Sequence, residues 1–143
     1  MNPMNPNRRR SAFTLIELLV VILILAILAA LIVPRVVGRT GEAKRAKASS
    51  DISALSGMLN NYKLDNDIFP STEQGLIALR VQPGDAGNWK GPYSQKDIPA
   101  DPWGNEYGYE SPGPDGQDFL IVSYGADGAP GGDGDAADIT SDQ

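Results

Sequence analysis

The most distinctive chemistry in this sequence lies close to its C-terminus, in the glycine-rich stretch "GADGAPGGDGDAADI". Four aspartates lie within twelve residues there, with no Lys or Arg among them: Asp127, Asp133, Asp135 and Asp138. Carboxylates, together with the backbone carbonyls that glycine turns expose, are the oxygen ligands that Ca²⁺ prefers. An EF-hand would need acidic or amide side chains where Ala129 and Gly131 stand, and a nonapeptide repeat would need a second copy. Composition alone therefore favours a solvated, disordered acidic tail over a cation site.

Another carboxylate, that of Glu17, lies inside an apolar run. Residues 13–33 are apolar except for Thr14 and Glu17, and about 20 apolar residues are enough to span a bilayer core. A charge near the centre of such a helix costs roughly 2.5–3.5 kcal/mol, and less toward its end. The residues alone leave two explanations open: Glu17 pairs with a specific cation, or its carboxylate reaches the lipid headgroups.

The residue types that are missing limit the chemistry further. The chain of 143 residues has no His and no Cys. Histidine-based acid–base catalysis, histidine metal ligation, disulfides and thiol chemistry are therefore excluded. Without a convergent pair of nucleophile and base, the sequence does not predict an enzyme.

Charge divides the chain into two parts. Residues 1–47 carry eight Lys/Arg and two acids, a net charge of +6, whereas residues 48–143 carry four Lys/Arg and sixteen acids, a net charge of −12. An acidic globular part argues against nucleic-acid binding. The basic residues flank the apolar run on both sides, so counting them does not settle the orientation in a membrane. The run is too long for a secretory signal peptide, and no small-residue cleavage site closes it.

The elements that would position these groups follow from periodicity. Ile52, Leu55, Leu59 and Tyr62 recur at spacings of three and four, which predicts an amphipathic helix that buries one stripe. Joined to the apolar run, it gives a helix over about 13–64. The remaining chain, 65–143, is predicted to form a small α+β domain. Its strands are expected over 105–110 and 119–124, with a long loop over 83–102. The capping-box pattern "STEQ" predicts the start of a short helix that runs through about Leu79.

Several stretches together resemble a known family. "FTLIELLVVILILAILAALIVP" resembles the signal of type IV pilins and pseudopilins, and "YKLDNDIFPSTEQGLIAL", "DPWGNEYGY" and "GADG" extend the similarity along nearly the whole chain. Together they look like the major pseudopilins of the type II secretion system. The resemblance implies a pilin-like α+β fold: a long N-terminal α-helix, half membrane-spanning and half amphipathic, packed on a small antiparallel β-sheet, with a C-terminal calcium-binding loop.

The resemblance also divides the chain and assigns its processing. Residues 1–12 would be a basic leader, 13–34 a transmembrane and filament-core helix, 35–64 its amphipathic continuation, and 65–143 a periplasmic globular part. A prepilin peptidase would cut between Ala12 and Phe13, and Phe13 would then be N-methylated. Ala12 stands where the family has Gly. Glu17 would pair with the terminal ammonium of a neighbouring subunit and set the register of assembly.

With the resemblance, calcium becomes the favoured interpretation of the acidic stretch. Asp127 and Asp138 match the family's ligands by position, and Asp135 matches if a gap is allowed. The backbone carbonyl of Tyr124 would complete the site. Asp133 is the less favoured ligand.

The function that the resemblance implies is mechanical. The chain would be the major subunit of a periplasmic filament, anchored by a single pass in the bacterial inner membrane before assembly. Its partners would be other copies of itself, minor pseudopilins, the prepilin peptidase, an inner-membrane platform with its ATPase, an outer-membrane secretin and inner-membrane lipid, but no nucleic acid. The alternatives are a type IV pilus subunit for adhesion or DNA uptake, and a signal-anchored calcium-binding domain that does not polymerise.

The processing assignment makes a direct prediction. In cells with an active prepilin peptidase, the mature chain begins at methylated Phe13, and Ala12→Gly leaves processing unchanged or faster. Mass spectrometry of the membrane-extracted protein measures the N-terminus. A chain that still begins at Met1 in such cells would contradict the assignment.

Overall fold

The computed structural model describes residues 13–143, and for residues 31–39 it describes the backbone alone. The chain divides after Gly38 into two compact units, and each is described by itself. One α-helix, α1, runs over Leu15–Asn66. The predicted leader, residues 1–12, lies outside the described residues.

The start of α1 is set by Thr14. The backbone N–H of Glu17 donates to the Thr14 hydroxyl oxygen at 3.3 Å, the geometry of an N-cap residue and the third residue of a helix. The sequence Thr-x-x-Glu is itself a capping-box pattern, and an acidic residue in the first turn is favoured by the helix dipole. Glu17 therefore also has a local structural role at the start of the helix, in addition to the pairing predicted from the sequence.

The side chains of α1 that follow, through residue 30, are exposed and almost all apolar. Leu15 is 81% exposed and Leu25 is 59% exposed. No helix among the described residues combines the length and the apolar character needed to cross a membrane.

In the second unit, α1 buries one stripe. The buried side chains recur every three or four residues: Ala48, Ile52, Leu55, Leu59 and Tyr62. The burial of the predicted stripe is thus confirmed, and it extends one turn further toward the N-terminus. Fully burying one such aliphatic side chain is worth about 1.5–3 kcal/mol, so this stripe is a major part of the core.

A three-stranded antiparallel sheet provides the other side of the core. Its strands, in spatial order, are β1 (Gly108–Glu110), β2 (Leu120–Ser123) and β3 (Ile139–Thr140). Tyr109 lies opposite Ile121, and Ser123 lies opposite Ile139. Ile121 is fully buried, and Phe119, just before β2, contacts Phe69 edge-on with ring centroids 4.9 Å apart. The predicted combination of a long helix and a small antiparallel sheet is confirmed.

The third strand corrects one interpretation of the sequence. The acidic stretch is not a disordered tail, because the chain beyond it returns to the sheet as β3 and buries Ile139. The backbone N–H of Ser141 also donates to the Ile121 carbonyl at 3.0 Å. The stretch is therefore a closed loop between β2 and β3.

The short helix predicted after Ser71 differs in the structure. Ser71 and Gln74 do form the reciprocal bonds of a capping box, at 2.8 and 3.3 Å. Gly75 then takes the left-handed φ of 60°, which an α-helix does not allow, and only a 3₁₀-helix over Leu76–Leu79 follows.

The long loop after this turn is tied to the core. The N–H groups of Tyr93 and Ser94 both donate to the Leu79 carbonyl, at 2.8 and 3.0 Å. The Trp89 indole donates to the Ala78 carbonyl at 3.0 Å, and the Tyr93 hydroxyl donates to Asp65 at 2.9 Å. The loop is ordered by these bonds, with no regular strand or helix of its own.

Candidate functional site

The acidic loop between β2 and β3 is the candidate site, and it is held against α1 by Arg45. The guanidinium donates to the carbonyls of Gly134 and Ala137 at 3.0 and 2.7 Å. One turn earlier, Gly41 is buried, and a Cβ at that position would meet the Asp135 carboxylate. Gly41 and Arg45 lie on one face of the helix, so a glycine provides the space and an arginine the bonds that seat the loop.

Glycine is required where the loop folds back on itself. Gly125 has a φ of 65°, and a Cβ there would lie 2.7 Å from the Asp135 carbonyl oxygen. The next N–H, of Ala126, donates to that same oxygen at 2.9 Å. Gly132, with a φ of 79°, is confined in the same way by the backbone of Ala136. Any side chain at these two positions would force the loop open.

The predicted ligands occupy different parts of this loop. Asp127 accepts a bond from the Ala129 N–H at 3.2 Å, and Asp138 accepts one from the Gly131 N–H at 2.9 Å. The Asp135 carboxylate lies near Gly41. Among the described residues, no group of three or more acidic side chains is arranged to hold a metal ion. The structure therefore does not bring the predicted carboxylates together into one site.

One oxygen of Asp138 is nevertheless unusual. Its Oδ1 atom is buried and has no hydrogen-bond partner in the described part of the chain. A buried carboxylate oxygen without a donor is costly, because it has lost water and gained no replacement. Asp133 is exposed, and Tyr124, which leads from β2 into the loop, is half-buried.

Asp101 fixes the entrance to the loop, and sequence reasoning missed it. It is 4% exposed, and its Oδ1 accepts bonds from the N–H groups of Trp103 and Asn105 at 3.0 and 2.8 Å. Its Oδ2 accepts a 2.6 Å bond from the hydroxyl of the fully buried Ser123. The Asn105 amide then donates to the Gly125 carbonyl at 3.0 Å. The signal was present in "DPWGN", since Asp before Pro and Gly is typical of a turn closed by its own side chain.

A second contact of α1 lies nearly two turns beyond Arg45 and involves Tyr107, the residue just before β1. The Tyr107 hydroxyl donates to Asp51 at 3.2 Å, and Lys47 pairs with the same carboxylate. Burial raises the pKa of Tyr107 above its usual value, and the negative charge of Asp51 raises it further. Tyr107 therefore stays protonated and remains a donor at any physiological pH.

The predicted processing and assembly residues lie apart from this loop in the chain. Ala12 lies outside the described residues. Phe13 is 79% exposed and precedes the helix. Glu17 is exposed in the first turn, with its backbone bonded to Thr14.

Comparisons with known proteins give one consistent family. The model of the family described as "Type II secretion system (T2SS), protein G" matches residues 35–142, and that of the "Prokaryotic N-terminal methylation motif" matches residues 7–33. The chain is 49% identical over 135 residues to the type II secretion system core protein G of Pseudomonas aeruginosa, covering 92% of this chain and 94% of the relative. It is 44% identical over 138 residues to that of Vibrio cholerae, covering 95% and 94%.

A solved structure agrees with the sequence relatives. The fold is similar to the crystal structure of the major pseudopilin from the type 2 secretion system of enterohaemorrhagic Escherichia coli. The TM-score is 0.61 at 39% sequence identity, over 73% of this chain and 91% of that chain.

The seating of the loop by Arg45 can be tested alone. In Arg45→Ala, two carbonyls lose a charged donor, and hydrogen bonds to charged groups contribute about 1.5–3 kcal/mol. We expect amide hydrogen exchange of residues 131–137 to accelerate roughly tenfold or more, while that of Leu59 in the core changes little. Lys47→Ala is the matched control, since Lys47 bonds Asp51 rather than the loop. Equal exchange in the loop of Arg45→Ala and of the parent would contradict the role of Arg45.

Proposed function

Because this chain belongs to the type II secretion system protein G family and is a pseudopilus subunit, we propose that its copies polymerise into a periplasmic filament that drives folded proteins through an outer-membrane secretin. The observation that supports this most is the adjacency of the two matches, the methylation motif over residues 7–33 and protein G over 35–142. A pseudopilin assembles with other secretion components, and its N-terminal motif implies a membrane-anchored protein that faces the periplasm.

The first unit supports polymerisation through its exposed surface. The described residues of α1 in that unit place almost only aliphatic side chains in solvent. Exposed apolar surface on this scale requires a cover, because burying it is worth about 25 cal/mol for each Å². Lipid would provide the cover before assembly, and the same segment of neighbouring copies would provide it in the filament.

The remaining partners follow from the proposed cycle. A prepilin peptidase would cut between Ala12 and Phe13, and Phe13 would be N-methylated. An inner-membrane platform and its ATPase would add subunits at the base, and minor pseudopilins would form part of the same filament. The part of this chain in that cycle is structural; we propose no catalysis by it.

Glu17 would fix the register of each incoming copy. The Thr14 cap places it in the first turn of the helix, four residues from Phe13. There its carboxylate would pair with the terminal ammonium of a neighbour inside an apolar filament. Either charge alone would be costly in such surroundings, and the pair offsets that cost.

We also propose that the acidic loop binds one Ca²⁺. The buried, unpartnered Oδ1 of Asp138 supports this, because an ion would provide the partner that it lacks. Asp138 and Asp127 would hold the ion together with backbone carbonyls such as that of Tyr124. Asp135 fits less well, since its carboxylate lies against Gly41, and Asp133 stays the less favoured ligand. The ion would supply positive charge to a loop that carries four aspartates and no basic residue.

The proposed role of Glu17 can be separated from helix capping. Glu17→Gln removes the charge and keeps a residue type that suits a capping box, whereas Thr14→Ala removes the cap and keeps the charge. We expect Glu17→Gln in the full chain to remain in the membrane fraction but to lose filaments roughly tenfold or more, since breaking a buried pair costs about 3–5 kcal/mol. Thr14→Ala should assemble. Electron microscopy of sheared filaments measures both variants. Normal filaments from Glu17→Gln would leave capping as the role of this residue.

The calcium proposal predicts a change in melting temperature. The compact unit over 39–143 should melt higher with Ca²⁺ than with a chelator, because a ligand at a hundredfold excess over its Kd stabilises by about 2.7 kcal/mol. Mg²⁺, which demands a smaller octahedral site, should substitute poorly. Asp138→Asn should abolish the difference, whereas the matched Asp133→Asn should keep most of it. Identical melting of the parent unit with Ca²⁺ and with chelator would contradict the proposal.

A further inference from the structure

One region of the second unit exposes large apolar side chains. Among the described residues from 40 to 143, four large hydrophobic side chains are exposed, and all lie between 64 and 81: Leu64, Ile68, Ile77 and Val81. Ile77 and Val81 are 56% and 59% exposed. Neither the core nor the acidic loop uses them.

Three of these side chains are connected through Gln74. Ile77 and Val81 line a groove of about 320 Å³ with Gln74, and Gln74 and Ile68 line a neighbouring cavity of about 180 Å³. Ile68, Gln74, Ile77 and Val81 are called the aliphatic patch below. Its concave shape can receive small side chains of a partner.

Acidic residues surround the aliphatic patch. Glu73 lines the groove, Asp85 lines the cavity, and both are exposed, as is Asp67. The nearby cations are already paired, Arg80 with Asp97 and Lys90 with Asp65. Residues 64–85 contain four acids and one arginine, a net charge of −3. A partner for this patch should therefore carry positive charge beside small apolar side chains.

The chain itself offers such a surface on α1. Residues 39–47 contain four basic residues and one acid, a net charge of +3. Ala43 and Ala46 are exposed there, next to the exposed Lys44 and Lys47. These four residues are called the neck face below. Ala43, Ala46 and Lys47 have the helical spacing that places them on one side.

In one copy, α1 places the neck face far from the start of the patch. About 20 residues of helix separate Lys44 from the end of α1 beside Ile68, which corresponds to about 30 Å along the axis. A contact between two different surfaces of the same protein is heterologous, and such contacts repeat into rings or, where the rotation does not close, into open helical filaments. The opposite charges and the apolar fit of the two surfaces thus both favour a contact in which the patch of one copy meets the neck face of the next.

We propose that the aliphatic patch of one copy binds the neck face of a second copy in the filament. The proposal rests on the polymerisation proposed above. The exposed acid Glu73 faces Lys44 of the second copy, and the groove beside Ile77 and Val81 receives Ala43 and Ala46. This contact joins successive globular units, independently of the apolar helix segments at residues 13–30.

Cysteine cross-linking tests the contact directly, because the chain has no Cys of its own. The full chain carrying both Ala46→Cys and Val81→Cys is assembled in cells that hold the other secretion components, and sheared filaments are oxidised. We expect a ladder of covalent multimers. Each single variant should give no ladder, since one Cys per copy can join at most two chains. A control pair, Ala46→Cys with Asp115→Cys, uses an exposed turn outside the patch and should give no ladder either.

Charge exchange gives a second, independent readout. Glu73→Lys and Lys44→Glu should each lower filament yield by roughly tenfold, because like charges then meet at the contact. The double variant should recover to within about twofold of the parent. Parent-like yield of both single variants, or filaments that give no ladder, would overturn the contact while leaving polymerisation intact. No filaments from the parent chain would overturn the proposed function as well. Lost secretion with normal filaments and no ladder would assign the patch to another protein and overturn the inference.

Discussion

The fold depends on the packing of one helical stripe against a very small sheet. The three strands contain only nine residues between them, and a sheet of that size is marginal without another layer to cover it. Leu55, Leu59 and Tyr62 provide that layer and meet Ile121 in the core. With no disulfide to help, the unit relies on this contact. Every other feature, including the long loop and the acidic loop, is positioned by its attachment to one side of it.

Charge acts on the same scaffold at two levels. Within a copy, Arg45 lies where the acidic loop returns to the helix, and it bonds the loop's carbonyls instead of its carboxylates. Arg45 therefore seats the loop without pairing with its aspartates. Between copies, the basic helix segment and the acidic region around the aliphatic patch have opposite charges. The opposite net charges of residues 1–47 and 48–143 thus help to stabilise contacts within one copy and, in the proposed filament, between copies.

How far the sequence predicted the structure depended on the range of the interactions. The stripe at Ile52, Leu55, Leu59 and Tyr62 was predictable because helical periodicity is a local signal. Strand β3 was missed, because its two residues pair with β2 across the whole acidic loop and only Ile139 is apolar. The network of Asp101 with Ser123 is equally non-local. The prediction of an α-helix after Ser71 was wrong for a local reason. The capping box forms as predicted, but Gly75 turns the chain immediately afterwards.

The predicted ligand set shows the same limit. Composition identified the loop that closes on α1, but spacing alone did not reveal that Asp135 faces Gly41 and that Asp138 holds the unpartnered oxygen. Which carboxylate points where is decided by the positive φ angles of glycines such as Gly125 and Gly132. Those backbone turns depend on the packed structure around them. The sequence therefore identified the residues of the candidate site, but not how their carboxylates are oriented.

A single copy leaves the apolar first part of α1 open to solvent. The large apolar side chains at 15–28 are exposed, and polymerisation requires other copies to cover them once the protein leaves the lipid. Electron cryo-microscopy of filaments sheared from cells that express the full chain tests this most directly. We predict a filament whose core consists of residues 13–30 from neighbouring copies, each in contact with the same segment of the next. Cells that process and anchor the chain but contain it only as monomers in the inner membrane would contradict it.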